Sequence, residues 1–259
     1  MDVASKPSIK ERQSMKQGTY SISANVEIAS GIFRMRLEGD TSAFLRGGQF
    51  VDIAVPGFFL RRPLAVREWD DKGFDVVYKV VGEGTAILSG LKEGERLEVL
   101  TGLGNGFDAR ACRSSALVVC GGLGASPAFS LVKELLRTGR KVTVILGFNR
   151  AAEVVLFKEY QALGADVHLV TVDGSEGLKG FVTDAVNLLS PEYDYFYTCG
   201  PKVMMKALCG QLEGPGEVSL EERMGCGCGI CYGCTCHTVS GPKRVCADGP
   251  VFKKEEVIW

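Results

Sequence analysis

Six of the chain's ten cysteines fall between residues 223 and 252, in RMGCGCGICYGCTCHTVSGPKRVCADGPVF, with glycines threaded between them. Cys226, Cys231, Cys234 and Cys246 give C-x4-C-x2-C and a distant fourth cysteine, the spacing of a plant-type [2Fe–2S] site. Gly225, Gly227, Gly229 and Gly233 suit a loop around an inorganic centre, because glycine takes unusual backbone angles and lets N–H groups approach sulfur. Such N–H contacts help to set a reduction potential. Two other centres use the same residues. Cys228, Cys231 and Cys234 form C-x2-C-x2-C, which could begin a [4Fe–4S] site, but Cys236 and Cys246 are wrongly spaced for the C-x3-C-P ending. A structural zinc site built from two cysteine pairs is the third reading, although zinc requires neither the C-x4-C-x2-C loop nor a glycine between successive ligands. Disulfides are disfavoured. Met1 is followed by polar and charged residues with no signal peptide, and no apolar run reaches membrane length, so a cytoplasmic setting and no membrane contact are expected.

The elements that must position this segment read as two further units. A chain of 259 residues can bury more than one core. Lys and Arg total 30 against 31 Asp and Glu, a near-neutral balance that argues against nucleic acid as a partner. Residues 1–17 are polar and read as a loose tail. Over residues 18–108, short alternating runs such as YSISANVEIA, IFRMRLEG, QFVDIAV, FDVVYKVV and RLEVLTGLG are separated by Gly, Pro, Asp and Asn, which predicts a small antiparallel β-barrel. Within it, RRPLAV at 61–66 and YKVVGEGTAIL at 78–88 stand out. The second places Gly82, Gly84 and Thr85 where a strand turns into a short helix, a start suited to phosphate.

From residue 117 the texture becomes α/β. ALVVCGGLGASPAFSLVKELLRTG reads as a buried strand, a glycine turn and an amphipathic helix with Phe129, Leu131, Val132, Leu135 and Leu136 inward. KVTVILGF, VVLFKEYQALG, DVHLVTVDG, FVTDAVNLL and DYFYTCGP continue the alternation, predicting a parallel sheet with helices on both faces. Ligands bind such sheets at the carboxyl ends of strands. The turn from Gly121 to Pro127 lies at such an end, as do Cys199, Gly200 and Pro201. The turn is not G-x-G-x-x-G, yet its place after the first strand makes it a candidate pyrophosphate site.

A nicotinamide moves two electrons as hydride, whereas an iron–sulfur cluster takes one at a time. A flavin handles both, so a chain with a site for each would convert one currency into the other. The order of RRPLA, GGLGASP, CGP and a C-terminal plant-type cluster segment resembles the ferredoxin-NADP reductase superfamily. Within it the chain is most similar to the family of electron-transfer subunits of dihydroorotate dehydrogenase B. That resemblance spans roughly residues 20–252 and is most specific in ERMGCGCGICYGC and VCADGPVF.

The resemblance implies that Arg62, Pro63, Leu64 and Ala65 line FAD, with Arg62 on its pyrophosphate, and that Val77, Tyr78, Lys79, Gly84 and Thr85 also contact it. It implies that Gly122, Gly124 and Pro127 match the turn that holds NAD(H), that Cys199 is the catalytic cysteine beside flavin and nicotinamide, and that Cys226, Cys231, Cys234 and Cys246 ligate the cluster. Ala65 departs from the family, which usually has Ser or Thr near the flavin N5. The implied partner is an FMN-containing catalytic subunit that oxidises dihydroorotate in pyrimidine biosynthesis, in a heterotetramer of two subunits of each kind. The implied division is a tail over 1–17, an FAD-binding barrel over 18–112, an NAD-binding α/β domain over 113–215 and a [2Fe–2S] segment over 216–259.

Other readings stand beside this one: a subunit of a sulfide dehydrogenase, hydrogenase or bifurcating complex, a free-standing reductase, or a zinc-stabilised binding module. Arg150, after the second α/β strand, leaves NADP(H) open. Cys112, Cys120 and Cys209 read as packing residues, Cys228 and Cys236 as non-ligands, and His168 as a core or surface histidine. His237, next to the cluster segment, reads as solvent-exposed or as a donor to the cluster's ligands.

Overall fold

The computed structural model describes residues 15–259. The expected polar tail therefore lies almost wholly outside the described residues, and Lys16 and Gln17 already belong to a strand, paired with Thr101 and Leu100. Six strands, β1 (Lys16–Ala29), β2 (Ile32–Glu38), β3 (Phe50–Ile53), β4 (Arg62–Trp69), β5 (Gly73–Lys79) and β6 (Arg96–Leu103), close a barrel in the order β1-β2-β5-β4-β3-β6. All pairings are antiparallel, as the alternating sequence predicts. Alternation sends Met35 and Leu37 of β2 and Phe74, Val76 and Tyr78 of β5 into one apolar core. RRPLAV runs into β4, and helix α1 (Glu83–Gly90) follows β5 where the glycines predicted a helix start.

The second unit contains β7 (Ser115–Gly121), α2 (Ala128–Arg137), β8 (Lys141–Phe148), α3 (Phe157–Ala162), β9 (Asp166–Thr171), β10 (Leu178–Lys179), α4 (Val182–Leu189), β11 (Tyr195–Cys199), α5 (Lys202–Gln211) and β12 (Gly216–Ser219). Its sheet runs β10-β9-β8-β7-β11-β12 with every pairing parallel. Helices cover both faces: Phe129 and Tyr160 from α2 and α3 pack on one, Val182, Val186 and Leu208 from α4 and α5 on the other. The helix expected over VVLFKEYQALG is shorter than its apolar pattern, because Leu156 takes a left-handed φ of 64° and the helix starts only after it. Chain order reverses between β7 and β11, the place where an open α/β sheet takes its ligand.

The C-terminal segment contributes β13 (Thr235–Thr238), β14 (Gly241–Arg244), α6 (Val245–Asp248) and β15 (Val251–Lys253). It is stitched into the sheet: β15 pairs antiparallel with β12, Val218 opposite Phe252 and Ser219 opposite Val251. The barrel is fixed to the sheet through Arg67, 4% exposed, whose guanidinium lies 3.9 Å over the Phe129 ring and pairs with Asp75 and Glu68. Ser130 Oγ donates to the Arg67 carbonyl at 2.5 Å across the same junction.

Glu217 of β12 is buried and accepts the Asp108 N–H at 3.0 Å. Burial, opposed by that hydrogen bond and reinforced by Asp108, pushes its carboxyl up to about 7 from 4.5. The folded chain thus holds this proton more tightly than the unfolded chain. The stability it gives is complete below about pH 4.5 and is lost as pH rises through about 7. Glu217→Gln should flatten the pH dependence of unfolding across that window and stabilise the chain above it, by on the order of 3 kcal/mol at about 1.4 kcal/mol per pKa unit. Urea midpoints measured across the window test this. Parallel curves for the two proteins would contradict it.

Candidate functional site

The loop from β12 to β13 carries three of the four cysteines expected as cluster ligands, and α6 carries the fourth. Their sulfurs meet backbone donors. Cys226 Sγ accepts from the N–H groups of Ile230 at 3.2 Å and Cys231 at 3.4 Å. Cys231 Sγ accepts from Gly233 and Cys234 Sγ from Cys246, each at 3.4 Å. The loop can turn its N–H groups inward because Gly227 and Gly229 take φ of 62° and 89°. At Gly229 a Cβ would fall 2.7 Å from that of Ala247, so a side chain there would also push the loop off α6.

Among the described residues no three His, Cys, Asp or Glu side chains converge on one point. The four cysteines instead form two neighbourhoods, Cys226 with Cys231 and Cys234 with Cys246. That division suits a two-iron centre with two thiolates on each iron. Burial would raise the Cys226 thiol, but the N–H groups of Cys231, Cys228 and Ile230 outweigh it and bring it down to about 6. Burial and the neighbouring Cys234 and Cys226 push Cys246 up to about 12. Thiols this close cannot all ionise without a cation among them, which a metal centre supplies. The donor set fits an iron–sulfur centre.

Arg244 braces the loop. Its Nε and Nη2 grip Asp248 at 3.0 and 3.3 Å, Nη1 donates to the Gly229 carbonyl at 2.8 Å, and the guanidinium lies 5.1 Å from the Tyr232 ring centre. No sequence motif marked it. Cys236 is buried on β13 in an apolar cluster with Val245 and Phe252, and His237 is exposed, so the donors to sulfur are backbone N–H groups. His168 is half-buried and pairs with Asp166 at 3.2 Å. Cys112 and Cys120 are buried in the core of the sheet.

A cavity of about 380 Å³ opens where barrel, sheet and C-terminal segment meet. Arg62, Pro63, Leu64 and Ala65 of β4, Val77, Tyr78 and Lys79 of β5, Thr85 of α1, Pro127 and Cys199 all line it. Gly84 stands behind this wall. A Cβ there would lie 2.4 Å from Arg62 Nε, so its absence lets the guanidinium settle against the first turn of α1. A guanidinium and a helix N-terminus both present positive charge, and an anion such as pyrophosphate reconciles them. Ser126 also lines the cavity, and its buried hydroxyl has no hydrogen-bond partner among the described residues. These features fit a flavin dinucleotide.

Sequence reasoning missed Phe50, Ser219, Leu220, Glu221, Glu222, Met224 and Pro250, which line the same cavity. Glu222, Met224 and Pro250 lay inside ERMGCGCGICYGC and VCADGPVF, and the other four carried no motif. The Cys199 thiol is buried, and burial together with Glu221 and Cys120 holds it well above its usual range, so it is a neutral thiol.

A second cavity, of about 460 Å³, lies at the carboxyl ends of β7, β8 and β11 and takes in Gly122, Asn149, Glu153 and Pro201. The three residues expected of the nicotinamide turn are thus divided. Gly122 lines this cavity at a φ of 54°, and Pro127 lines the first. Gly124 lies between them, packed so closely on β11 that a Cβ would fall 2.2 Å from the Cys199 carbonyl oxygen. Glu153 accepts from Asn149 Nδ2 at 3.0 Å and stands 3.7 Å from Arg150 Nε.

Residues 221–258 match the iron–sulfur cluster binding domain of dihydroorotate dehydrogenase B, and residues 118–210 match the oxidoreductase NAD-binding domain. Over 255 residues the chain is 41% identical to the dihydroorotate dehydrogenase B (NAD(+)) electron transfer subunit of Bacillus pumilus (strain SAFR-032), covering 94% of this chain and 98% of that protein. The protein of the same description from Fusobacterium nucleatum subsp. nucleatum is 37% identical over 257 residues, 94% of this chain and 99% of that one. Among solved structures, a chain of an NADH-dependent reduced ferredoxin-NADP oxidoreductase, described for flavin-based electron bifurcation, superposes with a TM-score of 0.85 at 32% identity, over 93% of this chain and 90% of that one.

Removing the brace at Arg244 should loosen the cysteine loop without unfolding the barrel or sheet. A hydrogen bond from a charged donor contributes about 1.5–3 kcal/mol, so Arg244→Ala should release iron to a chelator roughly tenfold faster or more, with Arg244→Lys intermediate. Iron release followed by absorbance checks this, and an unchanged rate would remove the bracing role.

Proposed function

Because this chain belongs to the family of dihydroorotate dehydrogenase B electron transfer subunits, we propose that it carries electrons between NAD(H) and a partner catalytic subunit by way of FAD and a [2Fe–2S] cluster. The observation that carries the reading is the shared cavity. Residues expected to hold flavin, the cysteine expected beside nicotinamide, and Met224 of the cysteine loop form one wall system. When bound, the flavin exchanges hydride with nicotinamide and single electrons with the cluster.

The chain's own residues would do the positioning. Arg62 and the first turn of α1 would neutralise the flavin pyrophosphate, β4 and β5 would support its ring, and Gly122 would admit the nicotinamide dinucleotide at the end of β7. Cys199, a neutral buried thiol, would act as a contact surface between flavin and nicotinamide rather than as a nucleophile. Glu153 engages Asn149 and Arg150, which supports an unphosphorylated ribose and hence NAD(H) over NADP(H). Cys226, Cys231, Cys234 and Cys246 would hold the cluster. On this reading residues 18–112 serve the flavin, 113–215 the nicotinamide and 216–259 the cluster.

The partner on this reading is an FMN-containing dihydroorotate dehydrogenase catalytic subunit, in a cytoplasmic heterotetramer of two subunits of each kind. No helix among the described residues is long and apolar enough to cross a membrane. The similarity to the bifurcating oxidoreductase chain favours a second reading, service to another redox complex, though at lower identity than the dihydroorotate relatives.

Anaerobic absorbance and electron paramagnetic resonance of the purified chain, then of its complex with the catalytic subunit, test the proposal. NADH should bleach flavin bands and raise a rhombic [2Fe–2S] signal, and dihydroorotate should do the same only in the complex. A colourless chain with stoichiometric zinc would sink the electron-transfer reading. A chain that NADH reduces but whose complex ignores dihydroorotate would point to the other redox partners.

A further inference from the structure

One side chain with no role so far stands between the flavin-lining strand and the cysteine loop. Asp52 lies on β3 and is 3% exposed. Alternation along β3 sends Val51 and Ile53 into the barrel core and leaves Phe50 and Asp52 on the other face, where Phe50 packs with Cys234, Cys246 and Phe252. In the ladder Asp52 stands opposite Pro63, next to Arg62. On its far side it meets the loop: a Cβ on Gly227, between Cys226 and Cys228, would fall 2.5 Å from Asp52 Oδ2. Oδ1 is buried with no hydrogen-bond partner among the described residues. Its charged neighbours are Arg61 and Arg62 on the barrel and Cys226 on the loop.

A buried carboxylate with an unpartnered oxygen is costly, and nothing in the packing of β3 requires one, since its neighbour Phe50 shows that an apolar side chain fits the same face. Its position supplies a use. In a low-dielectric interior a fixed negative charge acts strongly over a few ångströms, and reduction of a centre held by Cys226 adds another negative charge within that reach.

We infer that Asp52 sets the reduction potential of the centre held by the cysteine loop, keeping it lower than the loop's own N–H groups would and so favouring electron flow from that centre toward the flavin. The inference rests on reading Cys226, Cys231, Cys234 and Cys246 as ligands of a redox centre. Asp52 acts through its field, as a residue that touches the loop but not the metal.

The test uses Asp52→Asn and Asp52→Ser in the complete protein with its cofactors, at mildly alkaline pH. Iron-to-protein ratio, cluster midpoint by paramagnetic resonance and flavin midpoint by absorbance are read from the same titration. Both variants should keep iron and flavin, raise the cluster midpoint and leave the flavin midpoint nearly in place. At one fixed NADH to NAD+ ratio, the fraction of reduced cluster should rise several-fold. An unchanged cluster midpoint, or equal shifts of both midpoints, would overturn the inference. Loss of iron from both variants with flavin retained would also overturn it, making Asp52 an anchor of the loop. If the unsubstituted chain itself carries zinc and no iron, the ligand reading fails first and is recognised by that result.

Discussion

Electron transfer between bound centres falls off steeply with distance, so a chain of cofactors works only if its sites are held at fixed separation. Here that constraint is met by the pairing of β12 with β15. The ladder from Glu217 to Ser219 against Val251 to Lys253 joins the cysteine-bearing segment to the edge of the parallel sheet. It brings Leu220, Met224 and Pro250 to the cavity that β4, β5 and β11 already line. The Asn105 side chain clamps the same corner from the barrel side, donating to the Val251 carbonyl and accepting its N–H. Barrel, sheet and loop therefore share the walls of the first cavity, whereas the second is lined by residues of the sheet unit alone.

The electrostatics of the shared region follow from that arrangement. Arg62 and the start of α1 bring positive charge to one side of the cavity, while the cysteine loop on the other holds Cys226, whose thiol the surrounding N–H groups make acidic. Each set is uncomfortable by itself. The guanidinium faces a helix N-terminus, and in the loop N–H groups lower Cys226 while burial and the neighbouring Cys234 and Cys226 raise Cys246. An anion in the first place and a metal centre in the second relieve both, which is why the two sites read as binding sites rather than as packing. Cys199 is the contrast. Buried among apolar neighbours with its thiol held neutral, it shows no sign of ionic chemistry.

The brace at Arg244 and the carboxylate of Asp52 illustrate a general point about loops that carry inorganic centres. Thiolates supply the bonds, but the geometry and field around them come from elsewhere in the chain. Arg244 reaches back from the end of β14 to a carbonyl between two cysteines, and Asp52 reaches across from the barrel.

The amino-acid sequence alone determined the barrel, the parallel sheet with helices on both faces and the cysteine spacing. Each is written in a local repeat: alternation in IFRMRLEG, buried runs such as KVTVILGF followed by helical periods, and C-x4-C-x2-C. It also marked one side of the cavity wall, because RRPLA and YKVVGEGT are contiguous in the chain. Only the tertiary structure decided which residues complete that wall. Phe50, Ser219, Glu221 and Pro250 come from separate strands and turns, and they meet because β12 and β15 pair across a long interval of sequence. The turn GGLGASP shows both halves at once. Its glycines were legible, but their division between a cavity wall at Gly122 and close packing on Cys199 at Gly124 depends on where the end of β11 lies, and local sequence carries no information about that distance.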